Sequence, residues 1–423
     1  MSRFLVYTSP ASGHLLPLVP GVLALQDRGH QVRLVCAAAD VDLVREAGID
    51  AVAVDPRIQE IQLSDHAAGS DKERLRQGHR DLLTRGRHDG RDLDRHVAEW
   101  RPDVLLVDTN AYGAKTRAKV SGLPWAILMP SVLPMPGRGI PPYGLGMAPA
   151  RGPLGRLRDV VMWRVMVRVF GQALLPGLNE LRAESGLPAF ASPLQILEDA
   201  DAVICTAGAP LEYSRTDLPA HVHLVGAQVW DPPSARPDWL DEPGDPWVLV
   251  TCSTDYQGDE QLAEVAAEAL ADLPVRVLLT MADAYDSARV RTAGNVRVEK
   301  HVPHGQVLPL ASAVVCHGGF GIVTRSVAAG VPVVAVPFGR DQPEVARRVV
   351  EAGAGVSLPA KKLDAQRLRA AVLEAQAMRS SAEQAGRTLR EHGGGEQLAE
   401  ICQRWLDGAR ERLEAVLAES AED

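Results

Sequence analysis

One feature constrains this chain more than any other. Short, unbroken apolar runs alternate with turn residues and helix-length polar stretches. Arg3–Thr8, Gln31–Cys36, Val104–Asp108, Trp125–Met129 and Ala202–Cys205 are such runs, rich in Val, Leu, Ile and Ala. A strand covered on both faces shows no polar alternation, so these read as interior strands of a parallel sheet. The first unit is complete: strand Arg3–Thr8, turn Ser9-Pro10-Ala11-Ser12-Gly13, helix Leu15–Arg28 closed by Gly29, strand Gln31–Cys36. Strands separated by helices of that length build βαβ units.

The alternation stops and then restarts. Six prolines lie between Leu218 and Trp247, the mark of a connection between domains. Beyond them Val248–Thr251, Arg276–Leu279, Val296–Val298, Ala313–Cys316 and Val333–Val336 read as a second set of strands. With 423 residues to bury, two cores are expected rather than one. The spacing predicts an α/β chain of two Rossmann-like domains, 1–217 and 247–395, joined by the linker 218–246. A last amphipathic helix, Glu396–Glu419, lies in segment 396–423 after Gly393-Gly394-Gly395. Two stretches break the rhythm. Residues 56–101 are polar, with nine basic and six acidic residues between Lys72 and Arg101; the stretch reads as a solvated helix pair or mobile loop, with a grip on an anionic donor as the other reading. Residues 130–155 are rich in Pro, Gly and Met, as a pocket-lining loop or a surface connection would be, and the run Arg158–Ser185 after them is helical.

Composition narrows the function classes. There are 54 acidic and 45 basic residues, a net charge of −9, against the basic excess of a nucleic-acid protein. Aromatics are 4% of the chain, so the cores must be built from Val, Leu and Ala. The five cysteines are odd in number and lack metal-ligand spacing, which suits a reducing, cytoplasmic setting without disulfides. No leader peptide is expected, because Phe4–Tyr7 is already strand-like. The most apolar helical stretch, Val160–Phe170, is interrupted by Arg164 and Arg168, so no membrane span is expected.

Four positions can carry chemistry. His317-Gly318-Gly319-Phe320-Gly321 follows the strand Ala313–Cys316 and opens the helix Ile322–Ala329. Glycines there let backbone approach a ligand, and free amides at a helix start attract phosphate; a plain tight turn with a capping His has the same letters. Asp341-Gln342 follows the strand Val333–Val336, at the strand end where open α/β sheets gather ligands; Asp341 would serve equally as an N-cap. His14 stands in the first strand-to-helix turn, where an imidazole suits a general base. Asp108 closes its strand and could orient that imidazole, or cap the helix that follows.

In this order, Gly13-His14, the strand ending in Asp108, His317-Gly318-Gly319 and Asp341-Gln342-Pro343-Glu344-Val345-Ala346-Arg347-Arg348-Val349 resemble the nucleotide-sugar-dependent GT-B glycosyltransferases of the family 1 type. The likeness is to the actinobacterial enzymes that decorate polyketides and similar aglycones, and it spans nearly the whole chain. It implies two Rossmann-like domains whose parallel sheets face across a cleft. The first would bind acceptor and the second donor, and the last helix would cross back to the first domain. It implies His14 as base, Asp108 as its orienter, and His317 with the amides near Gly318, Gly319 and Gly321 as the diphosphate site. Asp341 and Gln342 would hold the sugar, Ser253 would lie near the phosphates, and the backbone at Val302 would meet the nucleobase. The implied reaction is inverting and metal-independent, with no cofactor beyond the nucleotide-sugar co-substrate. The implied partners are a UDP- or dTDP-sugar and a small hydrophobic acceptor such as a polyketide aglycone; homodimerisation is open. The chain departs from the pattern at Ile322, where a hydroxyl is usual, at Arg325, expected to offset that loss from one turn further on, and at Thr254-Asp255-Tyr256. The alternatives weighed are a non-catalytic partner of another transferase and a GT-B nucleotide-sugar epimerase.

Overall fold

Among the described residues thirteen strands form two sheets in which every neighbouring pair is parallel. The computed structural model describes residues 1–254, 257–286, 290 and 294–422, the last stretch from 409 as backbone alone. Asp255 and Tyr256 thus lie outside the described residues. The first sheet holds β1 (Arg3–Tyr7), β2 (Gln31–Cys36), β3 (Asp50–Ala53), β4 (Val104–Asp108), β5 (Trp125–Met129), β6 (Ala202–Cys205) and β7 (Val222–Leu224), in the order β3-β2-β1-β4-β5-β6-β7. The second holds β8 (Trp247–Thr251), β9 (Arg276–Thr280), β10 (Val296–Glu299), β11 (Ala311–Cys316), β12 (Val333–Ala335) and β13 (Gly355–Ser357), in the order β10-β9-β8-β11-β12-β13. Every residue of β4, β5, β6 and β8 is buried, which is why they read as unbroken apolar runs. This is an α/β fold of two parallel sheets, the layout that the resemblance implies.

In each sheet the chain winds outward one way from a central strand and then the other. The reversals fall between β1 and β4 and between β8 and β11. At such a switch point the two connections leave in opposite directions and open a crevice above the strand ends. His14 follows β1 and Asp108 ends β4; Ser253 follows β8 and His317 follows β11. The topology alone therefore brings these residues together in pairs.

Two expectations need correction. The segment 218–246 is not all connection, because Val222–Leu224 pairs with β6 and completes the first sheet. The charged stretch is neither a helix pair nor a mobile loop but one helix, Asp71–Trp100. Ser70 caps its start: its hydroxyl accepts from the Glu73 amide at 3.3 Å and donates to the Glu73 carboxylate at 2.9 Å. The helix buries Asp81, Arg85, Asp89, Asp92 and His96. Glycines explain how: a Cβ on Gly113 would lie 1.8 Å from the Gly86 carbonyl oxygen, so the helix Tyr112–Val120 crosses in backbone contact. The Asp89 carboxylate accepts from the Ala114 amide at 2.8 Å, and burial pushes its pKa up to about 8.

The helix Gly395–Glu422 leaves the second domain and packs on the helix Val19–Asp27 of the first. Leu398, Ala399, Cys402 and Leu406 join Leu18, Val22 and Leu25 in one core. The chain thus passes between domains twice, and the two passages touch. A Cβ on Gly226, at φ +75°, would meet the His392 carbonyl oxygen at 1.9 Å, and one on Gly393 would meet the Ala227 oxygen at 2.3 Å. Gln228 adds a bond from its amide to the Gly394 carbonyl at 2.9 Å. All five cysteines are free and buried. Among the described residues no helix is long and apolar enough to cross a membrane.

Candidate active site

A cavity of about 1370 Å³ fills the cleft and is lined from both domains. On the first domain's side His14 Nδ1 lies 2.8 Å from Asp108 Oδ2. The other carboxylate oxygen of Asp108 accepts from the Ser9 hydroxyl at 2.7 Å and from the Asn110 amide at 2.7 Å. Asp108 is wholly buried. Burial alone would raise its pKa, but the His14 charge and the bonds from His14, Ser9 and Asn110 outweigh it and hold the carboxyl below the usual range. An ionised carboxylate at Nδ1 fixes the ring with its proton there, leaving Nε2 as the acceptor. Nε2 faces the cavity with the Asn110 side-chain amide 3.4 Å away.

Across the cleft, the helix Phe320–Ala328 begins at Gly319 with no side chain capping its first amides. Gly318 takes φ +87°, a region costly for other residues. A Cβ on Gly319 would sit 2.3 Å from His317 Nε2, so the imidazole folds over that glycine and glycine alone fits. His317 Nδ1 is buried without a hydrogen-bond partner. Burial lowers the His317 pKa, against the pull of Asp259 and Asp341, so the ring is neutral near pH 7 and can offer one N–H. Beneath it Ser253 donates through its amide (2.7 Å) and hydroxyl (2.8 Å) to Asp259. Free amides, a neutral imidazole donor and a helix start together make a seat for an anion.

The helix Gln342–Glu351 ties the two halves together. Asp341, at its start, accepts from Ser131 of the first domain at 2.5 Å. Glu344 accepts three backbone amides of the 130–155 loop, those of Gly144, Leu145 and Gly146, at 2.9, 3.0 and 2.7 Å. Arg348 lies 3.0 Å from Glu344 and 3.1 Å from Glu212 of the first domain, and all three are buried. Arg340, at φ 56°, reaches across to Asp65 at 2.8 Å. The loop is therefore clamped by the second domain rather than running free over the surface.

Residues 264–404 match the family model described as Erythromycin biosynthesis protein CIII-like, C-terminal domain. The 4'-demethylrebeccamycin synthase of Lentzea aerocolonigenes is 32% identical over 384 residues, 88% of this chain and 91% of that protein. The chain belongs to the actinobacterial natural-product glycosyltransferases. Solved structures agree on the GT-B fold. The glycotransferase of kitacinnamycin superposes with a TM-score of 0.73 at 23% identity, covering 96% of this chain and 99% of that one. The spinosyn rhamnosyltransferase SpnG complexed with thymidine diphosphate gives 0.69 at 19% identity, covering 95% and 100%.

In this glycosyltransferase His14, Ser253, His317, Gly319, Gly321, Arg325, Asp341 and Gln342 all line the one cavity. Asp108 and Gly318 stand directly behind it. Three expectations are modified. Gln342 spends its carbonyl oxygen on the amides of Phe338 and Gly339, at 2.7 and 3.1 Å, and its amide on Gln257 at 2.7 Å; it shapes the turn that presents Asp341. Arg325 is not poised over the phosphate turn as a free cation, because its guanidinium pairs with Asp231 at 3.0 Å. Val302, whose backbone was expected to meet the nucleobase, has its side chain in the core and is not among the residues that line the cavity, whereas His304 is. The reading of the sequence missed Asp259, which occupies the N-cap position of the helix Glu260–Leu270 yet makes no cap bond. His79 was read only as part of a solvated charged stretch, and Lys115, on the helix Tyr112–Val120, was given no role; both line the cavity.

Proposed function

We propose that this glycosyltransferase moves a sugar from a UDP- or dTDP-sugar to a hydroxyl of a small apolar molecule in one inverting displacement. The observation that carries the reading is the opposition of the Ser9–Asp108–His14 array to the anion seat at His317 across one cavity. The acceptor O–H gives its proton to His14 Nε2 as its oxygen bonds to the anomeric carbon. The bond from that carbon to the diphosphate breaks, and its electron pair leaves on the phosphate oxygen. His317 and the amides at Gly319 to Gly321 stabilise the charge that builds there. Asp108 stabilises the imidazolium that forms, and the cavity supplies proximity. Attack from the face opposite the leaving group inverts the anomeric centre. That SpnG is complexed with thymidine diphosphate supports a nucleoside diphosphate as the leaving group. Apolar walls in the first domain, among them Trp163, Met166, Val167 and Phe170, suit a hydrophobic acceptor.

We infer further that the displacement uses neither metal nor cofactor beyond the nucleotide-sugar. Three Asp pairs, Asp40/Asp42, Asp92/Asp94 and Asp199/Asp201, have the Asp-x-Asp spacing that can hold a divalent ion, but five of these six carboxylates are bonded to protein groups. Asp92 is bonded to Tyr7 at 2.9 Å and Asp94 to Arg117 at 2.8 Å. Asp199 is held by Arg182 at 2.9 Å and Asp201 by the Trp125 amide at 3.0 Å, while Asp40 accepts from Ser12 at 3.1 Å.

Titration calorimetry with dTDP and UDP tests the donor half. His317→Ala is expected to weaken diphosphate binding about tenfold or more, the worth of a hydrogen bond to a charged group. Gly319→Ala should do the same with the melting temperature little changed, because its methyl group drives the imidazole out of place. Wild-type affinity in both variants would move the anion site elsewhere.

A further inference from the structure

We propose that His79 and Lys115 form a subsite, in the first domain's half of the cavity, for an acidic oxygen carried by an otherwise apolar molecule: a carboxylate or a phenolate. This names a property of the acceptor and so rests on the reading that the first domain binds it. The Lys115 side chain and both ring nitrogens of His79 are buried, and both residues line the cavity. His79, on the helix Asp71–Trp100, has no hydrogen-bond partner at Nδ1 or at Nε2. Its ring lies edge-on to Tyr112 and Phe170, with centroids 6.4 and 6.1 Å away. Lys115 gives a bond to the Thr109 carbonyl, and its ammonium sits 4.3 Å from the centroid of the Tyr112 ring. Among the described residues it forms no ion pair.

A buried cation without a counter-ion is costly, and so is a buried imidazole with both nitrogens idle. The carboxylates within electrostatic range of Lys115 are Asp108, Asp89 and Asp199. Each is already committed: Asp108 to His14, Ser9 and Asn110, Asp89 to the Ala114 amide, Asp199 to Arg182. What is missing must come from the cavity. Burial brings Lys115 down to about 8 and His79, with the help of the Lys115 charge, down to about 4. At neutral pH the pair is thus an ammonium beside a neutral imidazole. The ammonium has two N–H groups to spare and the imidazole one, enough for both oxygens of a carboxylate. Phe170, Tyr112, Leu82 and Leu174 supply apolar wall around them, the usual setting in which a few polar groups fix a ligand's orientation.

The test is direct binding, with no donor and no turnover, so it stands apart from the success of the transferase reading. The affinities of 2-naphthoate and its neutral analogue 2-naphthylmethanol are measured by calorimetry on the full chain. Wild type should prefer the carboxylate about tenfold or more, the worth of a charge-assisted bond. Lys115→Met should abolish that preference while binding of the alcohol persists, and His79→Phe should reduce it several-fold. Lys115→Gln serves if the Met variant does not fold. No preference in wild type, or a preference that survives both Lys115 variants, overturns the proposal.

Discussion

Replacing His14 by Ala is expected to cut turnover about 10²–10⁴-fold while donor affinity stays within about twofold of wild type, the range general-base catalysis supplies. The separation of effects follows from the fold. His14 stands over the first sheet's switch point and the anion seat over the second's, so losing the imidazole leaves the donor side untouched. Asp108→Ala should lose a similar amount. The double variant should lose little more than either alone, because an imidazole and the carboxylate that orients it act as one unit. Asp108→Asn is the sharper probe. It keeps the shape but can donate toward Nδ1, which drives the ring to the tautomer with its proton on Nε2, where it cannot accept one. Turnover and donor affinity of each variant are measured side by side. Near-wild-type turnover in His14→Ala with a weakly acidic acceptor rejects the base assignment.

Arg348→Ala is expected to destabilise the fold by about 3–5 kcal/mol, because it strands buried charge. The guanidinium lies between Glu344 and Glu212, at 3.0 and 3.1 Å, and 4.3 Å from the Tyr213 ring centroid. Arg215 stands 3.9 Å from Glu212 and donates to the carbonyls of Met135 and Leu133, at 2.8 and 3.2 Å. It can absorb part of the loss at Glu212 but none at Glu344. Adding Glu344→Gln to Arg348→Ala should therefore recover stability, since the second change removes the stranded carboxylate. Urea unfolding of the two variants gives the difference. A loss below about 1 kcal/mol in Arg348→Ala would show that the carboxylates find water or new partners, as exposed pairs do.

The central strands were readable because both faces of a parallel sheet are covered, so burial writes itself as continuous Val, Leu and Ile. Three of the four edge strands, β3, β7 and β13, were not; the fourth, β10, was read although it is as short and as little buried. The three unread strands have 4, 3 and 3 residues and are only partly buried, too short for any period to declare itself. The same contrast holds in the site. His14, Asp108 and His317 stand beside turn residues at strand ends, where the local sequence announces a crevice. His79, Lys115 and Asp259 sit on helices or at their starts, in letters that a solvated face would also carry. The helix Asp71–Trp100 shows the difficulty at its plainest: its polar residues are buried because Gly86 and Gly90 let another helix approach within backbone contact, and nothing local distinguishes that from exposure. Glu344 and Arg348 lay in the most telling block of the sequence and still had no role until their partners in the first domain, 136 or more positions away, were placed beside them.

The touching passages at Gly226 and Gly393 have a mechanical consequence. Two linkers set far apart would brace the domains like two hinges on one door and fix the axis of opening. Two linkers pressed together at one glycine-lined point act as a single pivot, about which one domain can tilt or swivel with little strain in the chain. The pivot then selects no direction of motion by itself. That choice falls to the contacts across the cleft, Ser131 with Asp341, Asp65 with Arg340 and the Glu212–Arg348–Glu344 group. The part-buried ones can yield first, and the fully buried charges hold to the last.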